Sequence, residues 1–272
     1  RPSRLPAIAI GSVVLGLGSA VALAAFRPEE RCTGAEAQLS EIWSEARAEA
    51  IEAEVEALGL PHAGDAWTRF SSDVDAYAHG WASMHRETCE ATVIRKEQSE
   101  AVMDLRMACL RRAHQALAST VDSIEHPDRE VMLRTHRLLA GLPPLRECAD
   151  VELLQADVRP PEAADEAGVN EARARLADAR ALVRVAKLDE AAAAMQEAAT
   201  VARSVDYGPL DVEVSFEQGV LAMNRGEYDE AVSSLRAALA SAVRWDRPVL
   251  ALHAAYELSD AESRLAKHES AQ

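Results

Sequence analysis

The chain has 272 residues, with 29 Lys and Arg against 45 Asp and Glu, and so a formal net charge of −16. That acid excess argues against nucleic acid or an anionic membrane surface as a partner. Glycine is sparse at 12 residues, aromatics make up 4%, alanine and leucine are abundant, and β-branched alternation is nearly absent. An all-α fold is expected, with room for one or two domains.

Residues 1–4 (RPSR) form a basic stub, and residues 5–26 (LPAIAIGSVVLGLGSAVALAAF) contain no charged residue, His, Asn or Gln. As a helix this stretch spans about 33 Å against a hydrocarbon core of roughly 30 Å, long enough to cross a bilayer once. Arg1 and Arg4 precede it, whereas Arg27, Glu29, Glu30 and Arg31 follow with no net charge. The positive-inside bias then puts the N-terminus in the cytoplasm and residues 32–272 outside the inner membrane, in the periplasm. The competing reading is a cleavable signal peptide, since Ala22-Leu23-Ala24 resembles a small-residue cleavage site. The chain begins with Arg rather than Met, which implies upstream sequence and favours an anchor. Ser12, Gly16 and Ala20, four residues apart, would let two such helices pair closely in a homodimer.

Beyond a short linker holding Cys32, apolar residues recur at helical spacing over 35–58, among them Leu39, Ile42, Trp43, Ile51, Val55 and Leu58. One helix is expected there, ended by Gly59, Pro61 and Gly64. A second is expected from an N-cap at Asp65 to about Val121, carrying Trp67, Phe70, Val74, Tyr77, Trp81 and Met84 on one face. Trp43, Trp67 and Trp81 are expected to share a core. A turn at 124–128, a helix over 128–139 and a breaker at 141–144 complete a helical sensor-like domain over 32–155.

The four cysteines show no metal-ligand spacing, and outside the cytoplasm an even count reads first as disulfides. Cys89 and Cys109, placed on one helix, would lie about 30 Å apart, beyond disulfide reach. The midpoint of Cys32 and Cys89 falls at the Leu60-Pro61 turn, and that of Cys109 and Cys148 falls beside Pro127. Antiparallel hairpins bring equidistant residues together, so the expected pairs are Cys32 with Cys89 and Cys109 with Cys148.

Residues 156–169 are polar, contain Pro160-Pro161, and read as a linker. Past them, Lys187-Leu188-Asp189-Glu190-Ala191 recurs as Glu227-Tyr228-Asp229-Glu230-Ala231, 40 residues on, and Pro209 recurs as Pro248. An internal repeat of two helices follows. Gly219, Ala222, Ala231, Leu235 and Ala238, with Ala179, Leu182, Ala191, Met195 and Ala198 in the first copy, resemble the small and large packing positions of tetratricopeptide (TPR) repeats. The resemblance covers 170–267, leaves 268–272 as a tail, and implies an α-solenoid with a concave face for protein or peptide partners. Arg225, Arg236 and Tyr256 are candidates for that groove.

Enzyme motifs are absent: there is no HExxH, GxSxG or GxxxxGK[ST], and no set of Gly-rich loop, HRD and DFG. The eight histidines are scattered; His79 and His85, six apart, do not meet on one metal. No catalytic residue, metal or cofactor is assigned. One run stands out, residues 97–110 (EQSEAVMDLRMACL), where Glu97, Asp104 and Arg106, with Arg111 just beyond, interleave with core-like Val102, Met103, Leu105, Met107 and Leu110. It reads as an internal ion-pair lattice or, alternatively, a ligand groove.

The order of an apolar helix, Cys32-Thr33-Gly34, a tryptophan helix, Thr88-Cys89-Glu90-Ala91-Thr92, the 97–110 run, the Leu142-Pro143-Pro144-Leu145 to Cys148-Ala149-Asp150 segment and TPR-like repeats resembles the region following the kinase domain in large transmembrane serine/threonine protein kinases of myxobacteria and related bacteria. The resemblance implies a non-catalytic extracytoplasmic sensor and protein-interaction region, any kinase activity residing upstream. The other reading is a standalone membrane-anchored TPR scaffold without a signalling role.

Overall fold

A computed structural model describes residues 32–156 and 160–271, and the apolar stretch 5–26 lies outside them. The described chain is all-helical. The first unit comprises α1 (Ala35–Ile42), α2 (Glu45–Ala57), α3 (Ala63–Val93), α4 (Glu100–Asp122), α5 (Arg129–Ala140), a 3-10 turn (Leu145–Ala149) and α6 (Val151–Ala156). The second comprises α7 (Glu166–Arg184), α8 (Leu188–Ala202), α9 (Gly208–Arg225), α10 (Tyr228–Arg244) and α11 (Pro248–Ala271). Among the described residues no helix is long and apolar enough to cross a membrane.

The helix expected over 35–58 is two helices. Trp43 and Ser44 are extended, and the Ser44 hydroxyl accepts the Arg47 backbone N–H, so a side-chain cap replaces helical continuation. The break turns the Trp43 indole N–H onto Asp75 of α3 at 2.6 Å. The long helix expected from Asp65 to Val121 is also interrupted. It starts at Ala63 rather than at Asp65, with His62 in a left-handed conformation, and stops at Val93. Lys96 takes φ 57°, and Ser99 caps α4 by accepting the Val102 N–H. Cys89 and Cys109 therefore stand on different helices, and the reason given for excluding their pairing does not hold. The pairs are nonetheless Cys32 with Cys89 and Cys109 with Cys148, with Cα separations of 5.5 and 5.4 Å.

The first core gathers Ile51 and Val55 of α2, Trp67, Phe70, Val74 and Trp81 of α3, Leu110, Leu117 and Val121 of α4, and Val131 and Leu138 of α5. Trp67 and Trp81 are buried, whereas Trp43 is half-buried at the edge. The Trp81 indole N–H donates to the Leu110 carbonyl at 2.8 Å, which ties α3 to α4.

Helix α7 begins at Glu166, inside the stretch read as linker, and α11 continues through the residues read as a tail. Helix starts repeat every 40 residues: α8 and α10 begin at Leu188 and Tyr228, α9 and α11 at Gly208 and Pro248. Gly168 packs against Val205, and Gly208, 40 residues on, packs against Trp245 with no room for a Cβ at either position. Ala179, Ala191, Met195, Gly219, Ala222, Ala231, Leu235 and Ala238 are all buried between the helices of these pairs. Helix α7 faces two ways: Val169, Ala172, Leu176 and Ala179 join the core it forms with α8, while Ala181 and Val185 join the core of the first unit. It thereby packs along α4, where the Ser119 hydroxyl donates to Asp178 at 2.6 Å.

Candidate functional site

A third face of α7, spaced three and four residues apart, carries Asn170, Arg173, Ala177, Arg180 and Arg184. These residues line a cavity of about 720 Å³ closed on the other side by Met107, Arg111, Arg112, His114 and Gln115 of α4. Trp81 and His85 of α3, Gly141, Pro143 and the carboxylates Glu147 and Glu213 also line it. The volume lies within the range of small-ligand pockets, about 300–1,000 Å³. A neighbouring cavity of about 600 Å³ shares Arg111, Arg112, Asn170 and Arg173 with it and adds Asp104, Tyr207 and Arg247. The two form one trough between α4 and the α7–α9 face.

Five arginines against two carboxylates line the larger cavity, in a chain whose net charge is −16. Arg173 reaches Glu213 at 2.7 Å, and Arg180 reaches Glu217 at 2.6 Å, both carboxylates coming from α9. Burial alone would raise the Glu213 carboxyl, but Arg173, Arg180 and Arg247 outweigh it and hold the group below the usual carboxylate range. Arg111 makes a longer ion pair with Glu166 at 3.4 Å. Arg184 has no hydrogen bond or ion pair among the described residues; its guanidinium lies against Gly141, where a Cβ would collide with it. Burial lowers its pKa, the Glu217 charge acting against this and the Arg180 charge with it.

On the same wall, the Trp81 ring stands 5.0 Å from His85 and 4.9 Å from His114, centroid to centroid. Burial lowers the pKa of both histidines, and the His114 charge lowers that of His85 further. The Nδ1 of His85 is buried without a hydrogen-bond partner.

The 97–110 run is a hydrogen-bond clamp. Gln98 donates to the Thr88 carbonyl at 2.9 Å and to the Thr92 hydroxyl at 2.8 Å, and accepts from Arg106 at 2.9 Å. Arg106 also donates to the Cys148 carbonyl. Glu97 pairs with Arg95 rather than entering this clamp. The groove candidates in the second unit each have their own setting. Arg225 pairs with Glu227 and Asp189, Arg236 pairs with Glu262 at 2.8 Å, and Tyr256 is 73% exposed.

Sequence reading did not single out Arg173, Arg180 or Arg184. Their seven- and four-residue spacing within the arginine-rich α7, which keeps them on one face, was the available signal, but an exposed ion-paired helix gives the same pattern. Among the described residues no three His, Cys, Asp or Glu side chains converge as metal ligands.

Fold and trough define the class: an all-α, disulfide-bonded protein with a cationic cleft between two helical units. Comparison with protein-family models, curated proteins and solved structures finds no match.

Proposed function

We propose that this chain is the non-catalytic, membrane-anchored sensor and protein-interaction region of a transmembrane serine/threonine protein kinase, its TPR-like helix pairs taking a protein or peptide partner along their inner face. The observation that carries this reading is the polar stripe of α7, Asn170 to Arg184, which opens into a cleft instead of closing into a core. The 40-residue recurrence of helix starts and of the Gly168/Val205 and Gly208/Trp245 contacts supports the repeat assignment. Two disulfides fit an oxidising compartment beyond the membrane. A partner bridging α4 and α7 would favour one relative arrangement of the two units, and that preference is what a sensor passes on.

The test is a photo-crosslinking amino acid at Asn170, in the cavity wall, and a second at the exposed Glu190 outside it. Partner adducts are expected at residue 170 and not at 190; equal labelling at both would reject the inner face as the binding face. A standalone anchored scaffold makes the same adducts but has no kinase domain encoded upstream, so the upstream reading frame separates the two.

A further inference from the structure

The arginines of the trough are not equivalent. Arg173 and Arg180 are each committed to a carboxylate of α9 at 2.7 and 2.6 Å. Arg184, one turn beyond Arg180 on the same stripe, is half-buried, lies against the Gly141 backbone and has no carboxylate within ion-pair distance among the described residues. Desolvating a guanidinium costs free energy unless an anion meets it. Glu217, the opposing charge that acts on Arg184, is engaged by Arg180 at 2.6 Å. Across the cavity, Arg111 is exposed and held by a single 3.4 Å ion pair, an arrangement that leaves most of its five donors for another acceptor. Apolar wall is supplied by Trp81, Met107, Pro143 and Ala177.

We propose that the trough is a carboxylate-binding site, with Arg184 as anchor and Arg111 as the second cation. A guanidinium receives a carboxylate through two parallel N–H···O bonds, and the apolar wall takes the aliphatic part of the ligand. The cavity volume suits the end of a peptide or a small dicarboxylate rather than a whole helix. Both sources carry the same chemistry. This inference rests on the inner face being the binding face, and it names what that face recognises.

The full chain, in detergent micelles, is titrated with succinate, with a pentapeptide ending in Asp as the free acid, and with the same peptide whose end and side chain are amides. Arg184→Gln, Arg184→Lys and, as a control on α5 outside both the trough and the repeat helices, Arg134→Gln are compared, with the thermal midpoint of each verifying folding. Expected is binding of the acids that weakens roughly tenfold or more in Arg184→Gln, less in Arg184→Lys, and not in Arg134→Gln. If the free-acid peptide outbinds the amide only when Arg184 is present, the source is a peptide. Succinate binding through Arg184 with no peptide binding keeps the carboxylate site and rejects the peptide reading of the proposed function. Peptide binding indifferent to amidation and to Arg184 overturns the carboxylate site and leaves the proposed function standing. Equal weakening in Arg184→Gln and Arg134→Gln marks unspecific attraction and overturns the site.

Discussion

The Arg106 guanidinium donates to the Cys148 carbonyl at 3.2 Å, joining the middle of α4 to the 3-10 turn that carries the end of the second disulfide. Through Gln98 the same side chain reaches the backbone of Thr88, the residue before Cys89 of the first disulfide. Arg106 is 9% exposed. Replacing it with Met leaves the Cys148 carbonyl and the Gln98 side-chain oxygen without this donor, at about 1–3 kcal/mol for each group that water does not reach. Urea denaturation of Arg106→Met is expected to show a loss of about 2–4 kcal/mol. A loss below about 0.5 kcal/mol, the scale of an ordinary surface change, would refute the clamp.

Removing the second disulfide acts on the unfolded chain. The residues it joins are 39 apart, so Cys109→Ser with Cys148→Ser is expected to cost about 4 kcal/mol on the chain-entropy model. Peptide mapping without reductant is expected to recover Cys32 linked to Cys89 and Cys109 linked to Cys148. Any other pairing contradicts the fold of the first unit.

Gly219 of α9 faces Leu235 of α10 so closely that an added Cβ would overlap the leucine side chain. Alanine normally favours a helix interior by about 1 kcal/mol over glycine. Here the overlap outweighs that gain, and Gly219→Ala is expected to destabilise by about 1–3 kcal/mol in thermal or urea unfolding. Gly64, in α3 with open space around it, is the contrast: Gly64→Ala is expected to be neutral or to stabilise by up to about 1 kcal/mol. Similar losses at both sites would contradict close approach of α9 and α10.

His85 and His114 set a pH dependence. Burial is the first cause that lowers both pKa values, so below the ordinary imidazole value of about 6.5 the unfolded chain binds protons that the folded chain refuses. Stability is therefore complete above about pH 6.5 and falls as the pH drops from there toward the lowered folded values. Replacing both histidines with Gln is expected to flatten the unfolding free energy between about pH 7 and 5. An unchanged slope would mean that neither ring titrates differently in the folded protein.

Much of the first unit was legible because its signals are local. Asp128 accepts the Val131 N–H at 2.8 Å and starts α5 where the sequence placed that helix. The two helices expected to run on were broken by serines, Ser44 and Ser99, each accepting a backbone N–H three residues on. A serine inside an apolar-periodic stretch reads equally as helix surface or as cap, and what surrounds it decides. The Trp43 indole reaching Asp75 and Gln98 bridging Thr88, Thr92 and Arg106 favour the break over the continuous helix. The 97–110 run was recognisable as unusual, but its function as a clamp depends on residues 42 positions away.

By itself the sequence determined the helical class and the 40-residue recurrence, since helix periodicity and small-residue spacing are read along the chain. Distance from a turn pointed to the cysteine pairs, but excluding Cys89 with Cys109 needed the fold, because the helix expected to hold both ends at Val93. Only the tertiary structure decided which way the arginines of α7 face. Helical spacing puts Arg173, Arg180 and Arg184 on one stripe, but whether a stripe meets solvent, a core or a cleft depends on where α4 packs, and that is fixed by long-range burial of Ala181 and Val185 against the first unit.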